Sequence, residues 1–142
     1  MTTQTTSVVN QDQTDPNRLL TLAVRANGIF SEASGLFLLL ASGAVAEMLG
    51  INAPWIVAAM GLGLIIFGGF LIYASLRELV NETLGIIVVV LDLAWVAGSI
   101  LLLLGNLLDM TTAGKWFIAI IADIVLLFAI VQAIGVRRLR HG

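Results

Sequence analysis

Four runs of roughly twenty mostly apolar residues follow one another through this chain, and that repetition constrains the fold more than any motif in it. A hydrocarbon core about 30 Å thick is crossed by a helix of about 20 apolar residues. The runs cover residues 26–49, 54–76, 84–104 and 115–136. With 59% of its 142 residues apolar, 11% charged and a mean hydropathy of +1.04, the chain could not hide so much apolar surface in an interior of its own. Lipid must be its solvent, and backbone polar groups in lipid have to be satisfied within the segment. The expected fold is therefore all-α: a four-transmembrane-helix bundle made of two helical hairpins.

Residues 1–17, rich in Thr, Gln, Asn and Asp, read as a disordered cytoplasmic tail ahead of a membrane domain at 18–142. They lack the charged lead, short apolar stretch and small-residue cleavage site of a signal peptide. Asp15-Pro16 is a helix start, because the carboxylate can cap free N–H groups and proline loses nothing at the first helical position. A helix running unbroken from there to residue 49 would be about 51 Å long, so its first turns, 19–25, are expected to protrude or to lie at the interface. Residues 50–53 and 109–114 read as short external connections, and 77–83 as an internal loop.

Orientation follows from the basic residues. Arg18, Arg25, Arg77, Arg137, Arg138 and Arg140 fall on one side of the four runs and Lys115 alone on the other. The positive-inside rule then places both termini in the cytoplasm, in a cell inner (plasma) membrane. Trp55 and Trp116 come to the outer boundary and Tyr73 near the inner one, as aromatic belts require. Shifting the second run by 61 residues lays Trp55 on Trp116, Ala58 on Ala119, Phe67 on Phe128 and Arg77 on Arg138. The first and third runs align poorly at that offset, so a duplicated hairpin and a chance likeness of apolar helices both stay open.

Cysteine is absent, which excludes disulfides, thiolate nucleophiles and iron–sulfur clusters. The single histidine, His141, argues against a bis-His haem or a metal site in the bilayer. No cofactor is implied. A net charge of −2 gives no footprint for nucleic acid.

The chemistry the sequence offers is a set of polar groups inside apolar runs. Arg25, Glu32, Asp92 and Asp123 each need a partner or a cavity, since a central Asp costs about 2.5–3.5 kcal/mol on insertion scales. Arg25 and Glu32, seven residues apart, share a helix face with Gly28 and Gly35 that looks inward. Gly85, Asp92, Ser99 and Asn106 recur at seven-residue spacing as a small and polar seam. Asp123 has Ala119, Ala122, Ala129 and Ala133 about its own face, a pattern of close packing. Trp95, one turn after Asp92 and too deep for an aromatic belt, needs an acceptor for its indole N–H, either Asp92 or a carbonyl on another helix. Ala59 with Gly63, and Ala94 with Gly98, have the spacing of tight helix contacts.

Arg25, Glu32, Asp92, Trp95, Ser99 and Asp123 are thus the candidate buried polar cluster. Three readings of it stand. In one, Arg25 pairs with Asp92 or Glu32 and the set fixes helix register. In the second, Glu32, Asp92 and Asp123 line a cavity that exchanges protons or a cation. In the third, the set is a polar interface with another membrane subunit.

The stretch Arg25-Ala26-Asn27-Gly28-Ile29-Phe30-Ser31-Glu32-Ala33-Ser34-Gly35, with Leu91-Asp92-Leu93-Ala94-Trp95-Val96-Ala97-Gly98-Ser99, resembles the uncharacterised small four-helix integral membrane proteins of bacteria. That resemblance covers most of the chain after the tail and carries no activity with it. Glu32 and Trp95 also resemble the acidic residue of the first helix and the Trp of the third in the small multidrug resistance exporters. Those exporters often work as antiparallel dimers with weak charge bias, from which the strong bias and long polar tail of this chain depart.

No arrangement of nucleophile, base or metal ligands suggests an enzyme. The expectation is a non-enzymatic structural or accessory subunit, with the lipid bilayer as its surroundings and a homo-oligomer or larger membrane assembly as its context. The alternative is a small proton-coupled carrier or exporter that works as an oligomer, with Glu32 and Asp92 exchanging protons and Arg25 as a gate. A third reading has Arg137, Arg138 and Arg140 holding anionic headgroups, although orientation already accounts for them.

Overall fold

The computed structural model describes residues 15–142, and the expected tail up to residue 14 lies outside the described residues. Five helices follow in order: α1 (Pro16–Leu40), α2 (Ser42–Leu49), α3 (Pro54–Leu76), α4 (Glu82–Leu104) and α5 (Thr112–His141). Asp15 accepts a hydrogen bond from the Asn17 backbone N–H at 2.9 Å, and Pro16 takes the first helical position. Helix therefore begins two residues inside the stretch assigned to the tail.

α3, α4 and α5 are each long and apolar enough to cross a membrane, and α1 with α2 reaches the same measure only when the two count as one broken span. The protein is a membrane protein with three to four such helices. The unbroken first helix expected from residue 16 to 49 does not form. α1 stops at Leu40 and α2 leaves it at 88°. A Ser42-Gly43 pair sits at the break, the kind of local sequence at which long helices bend. What drives the bend is burial: Val45, Ala46 and Leu49 turn down onto Leu38 of α1 and Val57 of α3 as one apolar cluster. At the other end of the chain the last helix continues past residue 136 to His141, so the basic end is helical.

Gly50 closes α2 in the left-handed conformation (φ 70°) that lets Ile51 N–H reach back to Ala46 O at 2.8 Å. The Met48 carbonyl, free at this helix end, accepts from both the backbone N–H (3.1 Å) and the hydroxyl (2.9 Å) of Thr111. Thr111 Oγ1 in turn caps α5 by accepting from Gly114 N–H. One residue thus ties the end of α2 to the start of α5 and holds α2 across that end of the molecule.

α1 is central. It packs on α3 and on α5, α5 packs on α4, and α3 and α4 make no close backbone approach. The α1–α3 contact is made through glycine. A Cβ at Gly35 would come within 2.6 Å of Gly61 O, and one at Gly61 within 2.7 Å of Gly35 O. Seven residues along, a Cβ at Gly68 would meet Gly28 O at 2.6 Å. Two antiparallel helices with glycine at matching seven-residue intervals can bring backbone against backbone. The other small pairs do not: Gly63 and Gly98 have open space around them, and Ala59 and Ala94 are exposed. The tight contacts expected at Ala59–Gly63 and Ala94–Gly98 therefore do not form, because four-residue spacing marks a face without saying which face is covered.

Two apolar cores result. Leu20, Val24, Leu71, Val80, Val88 and Val136 close the end that carries the chain termini and the loop at 77–81. The α2 cluster closes the other. Phe30–Phe128 and Phe37–Phe117, with centroids 5.6 and 6.1 Å apart, seam α1 to α5 between them. Replacing Gly35 or Gly61 by Leu is expected to cost about 1–3 kcal/mol or more by overpacking, whereas Gly63→Leu stays within about 0.5 kcal/mol. Unfolding of the purified protein in mixed detergent checks this ordering.

Candidate ligand cavity between the hairpins

Between the two cores lies a cavity of about 270 Å³. All the long helices contribute walls: Phe30 and Ser34 from α1, Met60 and Phe67 from α3, Asp92 and Trp95 from α4, and Val125 from α5. Leu49 of α2 forms part of its roof. Because α3 and α4 do not approach each other, the gap between them is the side on which it opens, and the lining residues Met60 and Leu91 are also exposed on the outer surface. The opening lies on the flank of the helices and not at either end.

Its polar wall is built by two helices. Along α1, Asn27, Ser31 and Ser34 recur at i, i+4 and i+7 and share one face. On α4, Asp92 and Ser99 lie on the buried seam with Gly85, while Asn106 falls beyond the helix end and is exposed. The hairpins meet where Asn27 Nδ2 donates to Asp92 Oδ2 at 2.8 Å, with both residues 5% exposed or less. Ser31 Oγ donates to Asn27 Oδ1 at 3.4 Å, and Ser99 Oγ donates to the Trp95 carbonyl at 2.9 Å. Gln132 of α5, fully buried, stands beside the same carboxyl, yet neither end of its amide makes a hydrogen bond of ordinary geometry among the described residues.

Of the six residues expected to cluster, Asp92, Trp95 and Ser99 line this cavity. The other three do not. Arg25 pairs with neither Asp92 nor Glu32; its Nε donates to Ser75 Oγ at 3.2 Å and its Nη2 to Ser75 O at 3.3 Å, a cation placed against the last turn of α3. Glu32 is half-buried on the α3 side, its Oε1 close to Gly69, and makes no hydrogen bond or ion pair among the described residues. The physical reason is rotation: at 100° per residue both Arg25 and Glu32 lie about 140–160° around α1 from Asn27, so the stripe read as facing inward faces α3. Asp123 is on the outer surface of α5 and exposed. The Trp95 indole N–H, for which Asp92 was one expected acceptor, makes no hydrogen bond among the described residues.

Asn27 and Gln132, which the sequence reading passed over, complete the site. The i, i+4, i+7 run of Asn27, Ser31 and Ser34 was the available signal, masked by attention to ionisable side chains. Gln132 had none beyond its being an amide in an apolar run.

A buried carboxyl held by one amide, beside a second amide and in no ion pair among the described residues, can accept a hydrogen bond or a proton from whatever enters the cavity. Among the described residues no group of three His, Asp or Glu side chains is placed to hold a metal ion. Comparison with known proteins gives no match to any family model, curated protein or solved structure. The geometry alone therefore carries the functional reading. In a double-mutant cycle, Asn27→Ala and Asp92→Ala are expected to couple by about 0.6–1.7 kcal/mol, between the average and the maximum measured for hydrogen bonds between membrane helices. Unfolding in detergent measures it, and additive single effects would mean that the contact contributes nothing.

Proposed function

We propose that this chain is a non-enzymatic, four-span protein of the cell inner membrane that takes a lipophilic, hydrogen-bond-donating molecule from the bilayer into the cavity between its hairpins. The observation that carries this reading is Asp92: a carboxyl among neutral polar groups in the wall of a mostly apolar cavity, with Arg25, the nearest cationic side chain in sequence on α1, turned away to Ser75. A cavity of this volume lies near the lower end of small-molecule sites, roughly 300–1,000 Å³. An aliphatic amine suits it best, since its chain matches the walls and its head can be met by Asp92. Exchange of that amine against the Asp92 proton makes the protein a small proton-coupled carrier.

In this arrangement α1 is the first span and α2 lies at the outer boundary. Six arginines against one lysine support cytoplasmic termini. So do exposed Trp55 and Trp116 at the α2 end and Tyr73, stacked by Arg77 at 5.7 Å, at the other. Single cysteines introduced as Thr112→Cys and Glu78→Cys are expected to react with an impermeant maleimide from outside sealed cells at the first position only. Labelling of Glu78→Cys alone would invert the topology.

A second reading, an accessory subunit in which the polar wall only fixes register, is favoured by the Asn27–Asp92 bond joining the two hairpins. The two separate in one experiment. With Trp55→Phe and Trp116→Phe, Trp95 is the sole tryptophan, and a brominated long-chain amine in liposomes is expected to quench it saturably, with affinity about tenfold weaker in Asp92→Asn. Quenching that rises linearly with probe and ignores Asp92→Asn belongs to the structural reading.

A further inference from the structure

Asp123 lies outside the cavity and outside every contact described above. It is eleven residues into α5, about 16 Å along the helix axis, and seven residues past Trp116, so it sits deep among apolar neighbours. The cavity-lining residues Ile121 and Val125 are two positions either side of it, which puts the carboxyl on the face of α5 pointing directly away from the cavity. Among the described residues it makes no hydrogen bond or ion pair. Lipid offers it none.

The surface around Asp123 is ordered. Trp116, Ile120, Asp123, Leu127, Ile130 and Ile134 are all exposed and follow one another at alternating intervals of four and three residues. That is the repeat of a left-handed helix pair, here left without a partner helix. A single polar residue in such a seam selects register, because only one alignment brings it against another polar group. Two identical seams laid side by side in parallel place Asp123 against Asp123, and a shift by one heptad either way buries a carboxyl on Trp116 or Ile130. Arg137 and His141 are the basic residues on this face, both at its far end and about four and five helical turns beyond Asp123. A second copy thus meets Asp123 with its own carboxyl and not with a cation.

We infer that the exposed α5 face is a two-fold interface between two copies of this chain, with the two Asp123 carboxyls hydrogen-bonded through a shared proton at its centre. The cavities of both copies then open away from the interface. This inference does not rest on the carrier reading: it uses a different face of α5 and a different carboxyl.

The test uses the full chain purified and reconstituted in liposomes, where native cysteine is absent. Under mild oxidation Leu127→Cys and Ile130→Cys are expected to form disulfide-linked dimers at least five times faster than Ile66→Cys on the exposed face of α3. In fluorescence-transfer titrations of the same liposomes, Asp123→Leu is expected to weaken self-association at least fivefold, and Asp123→Asn, which can still pair with itself, to keep it within twofold of the parent. Equal crosslinking at all three positions would overturn the interface. So would self-association that ignores Asp123→Leu, or a monomer in liposomes whose α5 cysteines crosslink only to another protein in native membranes.

Discussion

The close approach of α1 to α3 organises this molecule. Where Gly28 and Gly35 meet Gly68 and Gly61, backbone lies on backbone with no side chain between. Helices in lipid gain nothing from expelling water from between them, so packing at this range must supply the attraction. Once α1 is seated by that face, its opposite face is committed. Asn27, Ser31 and Ser34 are turned toward α4 and α5, and the second hairpin has to meet a polar surface. It does so with Asp92, Ser99 and Gln132, groups that would be costly anywhere else in an apolar helix.

The cavity follows from the same division of labour. Apolar side chains large enough to interlock gather at the two ends, around Leu20 and around Leu49. In the middle, small residues serve the α1–α3 contact and polar ones serve the inter-hairpin bond, and neither fills volume. α1 touches both hairpins while α3 and α4 stand apart, so the unfilled space is left with an open side. Closely packed ends and a loose centre would let the proposed ligand enter without unfolding the bundle.

Much of this fold could be read from the residues, and the misreadings have physical causes. Asp15-Pro16 and Pro54 open helices because capping chemistry and a fixed φ act locally. The break at Ala41 was hidden because no proline marks it; Ser42-Gly43 permits the bend, but Val45, Ala46 and Leu49 cause it by finding α3 and α5, a tertiary matter. At the site, Asp92, Trp95 and Ser99 were found because their types stand out in an apolar run. Arg25, Glu32 and Asp123 stood out equally and lie elsewhere, since periodicity gives the angle between two residues on a helix but not the direction in which either points. Asn27 shows the converse: a neutral amide excites little suspicion and turns out to hold the carboxyl.

The right angle between α1 and α2 also shapes how the protein meets its surroundings. Had the chain run straight to residue 49, a rod of helix would stand clear of the bilayer. Folded sideways, those residues lie flat and the short links at 50–53 and 105–111 stay close to them. α5 at the opposite end keeps going, and its roughly 45 Å length exceeds the hydrocarbon thickness by about two to three turns. In the proposed membrane placement the molecule is lopsided in profile: nearly flush with the headgroups on the α2 side, and on the other carrying a stiff basic stub that any neighbour on that side must go around.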